Sequence, residues 1–554
     1  MVKLENLCFS YTLKRKTLPV LSNINATFER GSITAIVGQS GCGKTSLLRL
    51  IAGLSVPSSG VLFIDDQEGG NIREKTSIIF QNYGLLPWAS VQANAELGLR
   101  AKRVPAAVCA AKVNPILSEL ELSEFARLYP ARLSGGMQQR VAVARALASD
   151  SDLLLMDEPF SSLDAITRES LQETLLATQR RHGTTIILVT HSIEEAAYLA
   201  DTIYILKGKN PSTLSTRFDT NRRAAGLNVA PHGQSAGEKT QNLGGSPQNK
   251  ESFTAACGGS VEAPVSYRES GQYFGNIAAL RQLFSDSANT SVDISSSSEV
   301  GRPSSSPANP LAKILLAGVV IALLWAALSS ILQKPFLPSP FLAGKRFAEK
   351  FLDGTLLIHI GASLRRIFLA LVIAGPPAWA LGLLSGRVGT ADTLASPLVY
   401  LLHPLPKVAF LPILMLFFGL GDASKVALIG LVIFGQLFVG GRDSAKAIPR
   451  FLIDTVRSLG GYGFPTLRYA ILPATLPSLL SSLRISLGTA IAVLFLSETF
   501  ASMDGLGWYI MDSWSRVDYP DMYAAIIALS LVGLALYLAI DFIEVVALRW
   551  RETD

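Results

Sequence analysis

Two short stretches hold residues whose types and spacing suit phosphate chemistry. GQSGCGKT, residues 38–45, fits a Gly-x4-Gly-Lys-Ser/Thr loop at every fixed position and lies between the apolar run SITAIVG and the helical pattern SLLRLIAGL. Glycines at Gly38, Gly41 and Gly43 let consecutive N–H groups face phosphate oxygens, with Gln39, Ser40, Cys42 and Ser46 completing the loop. Lys44 reaches the β- and γ-phosphates, and Thr45 supplies a hydroxyl for Mg²⁺. The second stretch, LLLMDE at 153–158, is an apolar strand ending in two carboxylates. In that pairing Asp157 holds Mg²⁺ through water and Glu158 polarises an attacking water. His191 closes a further apolar run, TIILVT, and is placed to contact a γ-phosphate and orient the catalytic groups.

LSGGMQQR, residues 133–140, adds a serine and two glycines at the mouth of a helix. Free N–H groups and the positive end of the helix dipole suit an anion there. A plain serine cap with a flexible turn is the other reading of the same residues.

The elements that must position these groups follow from patterning. Residues 1–210 alternate short apolar runs with amphipathic helical patterns, which predicts an α/β domain with a parallel-sheet core. Residues 211–310 turn to Ser, Gly, Asn, Pro and Thr, too poor in apolar side chains to bury a core, and read as a flexible linker with a short helix near IAALRQLF. Residues 311–554 hold apolar runs at 312–333, 366–384, 397–419, 424–441, 484–503 and 522–547, long enough for about 30 Å of hydrocarbon. The third is interrupted by HPLPK. A hydrophobic share of 49% and a mean hydropathy of +0.35 agree with a membrane portion. The net charge of +6 is small and scattered, which sets nucleic acid aside.

Cys8, Cys42, Cys109 and Cys257 form no CxxC pair and read as reduced thiols. The N-terminus MVKLENLCFSYTLKRK has no signal-peptide pattern, so the first domain is expected in the cytoplasm, and an even number of spans returns the C-terminus to the same side. The positive-inside count offers little help: Arg387, Arg442, Lys446, Arg450, Arg457, Arg468, Arg484, Arg549 and Arg551 fall inside, against Lys345, Arg346, Lys350, Arg365 and Arg366 outside. Glu498, Asp541 and Glu544 lie near the ends of spans and are read as solvated.

On these motifs, residues 1–210 resemble the nucleotide-binding domain of ABC transporters. The resemblance implies ATP and Mg²⁺ as cofactors. It makes Ser134, Gly135, Gly136, Met137 and Gln138 a signature that closes on the γ-phosphate held by a second copy, so that two chains share two sites. Tyr11 is similar to the aromatic that stacks on adenine, with Phe9 a competing choice; Gln81 in FQNYGLLPW resembles the glutamine linking γ-phosphate and metal to the membrane domain; Asp164 in SSLD resembles the aspartate that communicates between sites.

The membrane half decides the kind of transporter. DTVRSLGGYGFPTLRYAILPATLP, 454–477, resembles the cytoplasmic EAA coupling loop of importer permeases. Asp454 is its acidic position, Gly460 and Pro473 keep the spacing, and Thr455 and Val456 replace alanines. LLPW at 85–88, the stretch 404–421, and Glu498 with GLG at 505–507 resemble the nitrate, sulfonate and taurine group. The resemblance implies a fused half-importer with a MetI-like permease fold of about six helices in the bacterial inner membrane. Its implied partners are a second copy, membrane lipid and a periplasmic or extracellular solute-binding protein, with transport by alternating access. The expected cargo is a nitrate-, sulfonate- or taurine-like anion; pyrimidine vitamin precursors are carried by relatives of the same group. An exporter would place its spans before the ATPase domain and lack the coupling loop, whereas a membrane-tethered ATPase regulator is separable only by assay.

Overall fold

Uninterrupted apolar runs dictate a sheet covered on both faces. In the computed structural model, which describes residues 1–13, 16–161, 163–208, 211–220, 273, 276–280, 310–402, 405–500 and 502–551, those runs become β3 (Ile33–Gly38), β7 (Leu153–Asp157) and β8 (Thr185–Thr190), buried throughout. They follow β1 (Val2–Leu13), β2 (Lys16–Phe28), β4 (Ser59–Ile64), β5 (Gln67–Glu68) and β6 (Thr76–Ile79), and precede β9 (Thr202–Lys207) and β10 (Thr213–Asp219). The larger sheet has the order β10-β9-β3-β8-β7-β6, parallel except for β10. An antiparallel sheet, β2-β1-β4-β5, lies beside it.

Alternation along the parallel strands feeds two cores. Ala35, Val37, Leu154, Met156, Ile186 and Leu188 join one, and Ile36, Leu153, Leu155, Ile187 and Val189 the other. The helices of this domain are α1 (Lys44–Ile51), α2 (Val91–Ala95), α3 (Leu97–Ala101), α4 (Ala106–Glu119), α5 (Gly135–Ala148), α6 (Ala165–His182) and α7 (Ile193–Leu199). Gly38, Asp157 and Thr190 end three neighbouring strands, and Gln81 lies two residues past β6, so the loops that carry chemistry leave the same edge of the sheet.

The sheet runs past the boundary expected at 210, because β10 pairs with β9. Residues 276–280 are helical, where a short helix was expected. Leu280 is fully buried in the core, and Asn276 donates to the Thr220 carbonyl at 3.3 Å. The rest of the expected linker, Cys257 included, lies outside the described residues; Cys8, Cys42 and Cys109 are free thiols.

By contact the chain divides into two units, Met1–Ile294 with Phe451–Pro465, and Ser295–Arg450 with Thr466–Asp554. The second is helical: α8 (Pro310–Leu332), α9 (Pro340–Leu352), α10 (Thr355–Arg387), α11 (Gly389–Leu402), α12 (Leu411–Phe418), α13 (Asp422–Ala447), α15 (Leu472–Glu498), α16 (Leu506–Ser515) and α17 (Tyr519–Ala547); α14 (Arg450–Ser458), between α13 and α15 in sequence, belongs from Phe451 onward to the first. Among the described residues four helices are long and apolar enough to cross a membrane: Thr355–Arg387, Asp422–Ala447, Phe464–Glu498 and Tyr519–Ala547. Of the six expected runs, the first and third are the shorter apolar helices Leu316–Leu332 and Lys407–Phe418.

The third run is not one helix. It breaks between α11 and a 3-10 turn at Lys407–Phe410, where Pro406 has no N–H to donate; His403 and Pro404 lie outside the described residues. The fifth begins at Phe464, not 484, which brings Arg484 inside a helix. Glycines let α10 and α13 approach closely: a Cβ on Gly441 would stand 3.1 Å from the Trp379 ring.

Candidate nucleotide site and coupling segment

The loop after β3 turns through Gly41 and Gly43 at φ +80° and +94°, a region open to glycine at little cost. Helix α1 then starts with no side-chain cap, whereas Ser134, Asp164 and Ser192 cap α5, α6 and α7. Gln39, Ser40 and Gly41 are exposed, while Cys42 and Ser46 are buried. Lys44 Nζ donates to the carbonyls of Gly38 (2.8 Å) and Gln39 (3.0 Å), and Thr45 Oγ1 donates to Asp157 Oδ1 at 3.1 Å. Burial pushes the Asp157 carboxyl above its usual range, and the Thr45 hydroxyl pulls it back. An uncapped helix start, exposed loop backbone, a lysine and a hydroxyl–carboxylate pair form a donor set that fits a nucleotide triphosphate with a divalent cation.

Three loops meet at Glu158. Its Oε2 accepts from Gln81 Nε2 at 3.2 Å and lies 3.5 Å from His191 Nδ1, while Oε1 lies 3.7 Å from Lys44 Nζ. Glu158 has φ +45° and is anchored by its N–H to the Val189 carbonyl (2.9 Å). A glutamate in that region is uncommon, and such strain concentrates at functional sites. Tyr11 stands 38% exposed with its hydroxyl 3.2 Å from Ser46 Oγ, whereas Phe9 is core and meets the Tyr11 ring edge-on.

The structure thus brings together Lys44, Thr45, Gln81, Asp157, Glu158 and His191. Ser134, Gly135, Gly136 and Gln138 form a separate group at the start of α5. Ser134 Oγ accepts from the Met137 N–H at 3.3 Å, and Gln138 Nε2 donates to the carbonyls of Pro130 and Leu133. Asp164 caps α6 by accepting from the Thr167 N–H at 3.0 Å, which holds its carboxyl below the usual range.

Phe451–Pro465, between two membrane helices in sequence, packs within the unit that holds the nucleotide loops. Leu452, Ile453, Thr455 and Val456 of α14 are buried, and Phe451 packs against the core that includes α1. Asp454 pairs with Arg49 of α1 at 2.7 Å, and Thr455 lies against Gly84, where a Cβ would come within 2.5 Å of its hydroxyl. Gly460 turns the chain at φ +83°. The helix begins at Arg450, four residues ahead of the expected loop. Pro473 lies outside the loop, in the first turn of α15, behind a π-turn at Leu467–Ile471 that widens the ladder where proline cannot donate. Arg49 escaped sequence reading because nothing marks it among scattered basic residues; its only signal is a charge opposite to Asp454.

Glu498 is not a solvated end, whereas Asp541 and Glu544 stay partly exposed. Glu498 is fully buried, accepting from Ser363 Oγ (2.8 Å), Arg366 Nη1 (2.6 Å) and the Gly507 N–H (2.8 Å). Arg366 is buried too and also pairs with Asp422 at 2.6 Å and with Asp504. His359 Nδ1 accepts from the Gly505 N–H at 3.2 Å, so His359, Ser363 and Arg366 form a polar face of α10. Arg484 pairs with Asp541, and with Glu544 at 2.6 Å. Charges in apolar surroundings find partners from other helices, which a span-by-span reading leaves out.

Residues 21–161 match the family model described as ABC transporter, and residues 378–550 the one described as binding-protein-dependent transport system inner membrane component. The chain is 40% identical over 208 residues to an uncharacterized ABC transporter ATP-binding protein of Methanocaldococcus jannaschii, covering 38% of this chain and 78% of that one. It is 41% identical over 210 residues to the aliphatic sulfonates import ATP-binding protein SsuB of Bacillus cereus, covering 38% and 82%. Against the taurine import ATP-binding protein TauB of Yersinia pestis it is 41% identical over 203 residues, covering 37% and 79%.

Proposed function

The chain belongs to the ABC transporter family, with an ATP-hydrolysing domain and a permease domain fused in one integral membrane polypeptide, and from that premise we propose that it imports a small sulfonate-, taurine- or nitrate-like anion. The observation that carries this reading is α14: a segment between two membrane helices in sequence that packs within the nucleotide-loop unit, with Asp454 on Arg49 and Thr455 on Gly84.

Lys44 and the loop amides of Gly38–Thr45 bind the phosphates, Tyr11 stacks on the base, and Glu158 accepts a proton from the attacking water. Thr45, Gln81 and Asp157 would hold Mg²⁺, which when bound supplies positive charge against the phosphates. Gln81 and His191 orient Glu158. Ser134, Gly135, Gly136 and Gln138 serve the loop of a second copy, and Asp164 links the two sites. Closure of the pair moves α14, Gly460 allows its turn, and the membrane helices alternate access for cargo handed over by a solute-binding protein. The ATPase domain and both termini face the cytoplasm of a bacterial inner membrane.

The test is capture from host periplasmic extract by the detergent-solubilised full-length protein without nucleotide, followed by mass spectrometry of the captured protein and its ligand. A binding protein carrying a small anion is the expected result. A captured binding protein loaded with a neutral heterocycle sinks the cargo class, and no capture under conditions where a known importer succeeds sinks import itself.

A further inference from the structure

Arg145 lies in the last turn of α5, is 2% exposed, and finds no carboxylate among the described residues. Its guanidinium donates from Nη1 to the Gly84 carbonyl (2.6 Å) and from Nη2 to the Tyr83 carbonyl (2.8 Å). A buried cation without a counter-charge is costly, and here two carbonyls and the negative end of the α5 dipole compensate it.

The turn it grips is strained. Tyr83 and Gly84 have φ of +60° and +59°, and Tyr83 is a buried aromatic held where only constraint keeps such a residue. On one side of this turn Gln81 contacts Glu158; on the other Gly84 abuts Thr455. Just beyond, fully buried Asn94 grips Leu86 through both its N–H and its carbonyl and donates to Ala89 as well.

We propose that Arg145 is a positioning residue that turns residues 81–84 into a rigid strut between the ATP site and α14. The same side chain ties that strut to the helix whose first residues are Gly135 and Gly136. The inference rests on reading Phe451–Pro465 as the coupling segment. Lysine cannot substitute, because one ammonium on a flexible stem lacks the planar fork that holds both carbonyls.

The experiment uses the full-length protein in nanodiscs with its four cysteines replaced and Tyr462→Cys labelled with an environment-sensitive dye; Tyr462 is 52% exposed, in the same segment as α14. MgATP is expected to shift the emission in the parent. Arg145→Lys should remove most of that shift, because one ammonium cannot keep both carbonyl contacts, while basal ATP hydrolysis is retained. An undiminished shift in Arg145→Lys overturns the proposal, as does loss of hydrolysis together with the shift. A parent whose dye ignores MgATP overturns instead the coupling reading beneath it. Should the lysine variant not fold, Thr455→Ala breaks the far end of the same chain of contacts, and an undiminished shift there overturns the strut.

Discussion

At the scale of single residues the site is a division of labour between neighbours that differ by one position. Asp157 ends β7 buried and bonded to Thr45, while Glu158 is swung the other way by a positive φ and meets Gln81 and His191. The backbone turn makes two adjacent carboxylates unlike. Glu158→Gln preserves size and hydrogen bonding yet cannot accept a proton. Phosphate release should therefore fall by about 10² to 10⁴-fold, the range for loss of a general base, with ATP binding unchanged in equilibrium titration. Normal turnover would remove Glu158 from the reaction.

At the scale of elements, α1 and α5 each begin at one functional feature and end at another. Helix α1 opens on Lys44 and carries Arg49 in its last turn, on Asp454. Helix α5 opens at its Ser134 cap and carries Arg145 in its last turn, on the turn that touches Thr455. A helix of 14 residues is a rod about 21 Å long, so movement at one end must appear at the other. Reversing the pair tests this. Asp454→Arg alone opposes two cations and should uncouple ATP hydrolysis from the dye response at position 462, whereas Asp454→Arg with Arg49→Asp should recover most of it. Failure of the double variant alongside a folded protein counts against the ion pair as the contact.

At the scale of the whole molecule, one chain holds the loop of Lys44 and the Ser134 group in separate clusters, as expected if each is completed by a second copy. Homodimers of Lys44→Ala and of Ser134→Glu should each be nearly inactive in ATP hydrolysis. A mixed dimer of the two concentrates both lesions in one site and leaves the other whole, so purified mixed dimers should regain activity that neither parent has. Mixed dimers as inactive as their parents would argue against sites shared between copies.

Much of the fold was legible in local pattern. Apolar runs of five or six residues ending in Gly or Asp specify buried parallel strands, and glycine spacing around Lys44 specifies a loop that few other structures need; both are short-range properties of the chain. The α/β ATPase domain and the helical membrane domain follow from them. What escaped depends on residues far apart in sequence: Arg49 with Asp454, Arg145 with Tyr83 and Gly84, Arg366 with Glu498, and Arg484 with Asp541 and Glu544. Composition shows such residues as scattered charges or solvated ends. Only packing brings them together, because a buried charge is tolerable solely where the fold delivers its partner. Periodicity and motif therefore determined where phosphate chemistry could occur, and the tertiary structure decided which side chains join the nucleotide loops to the segment Phe451–Pro465.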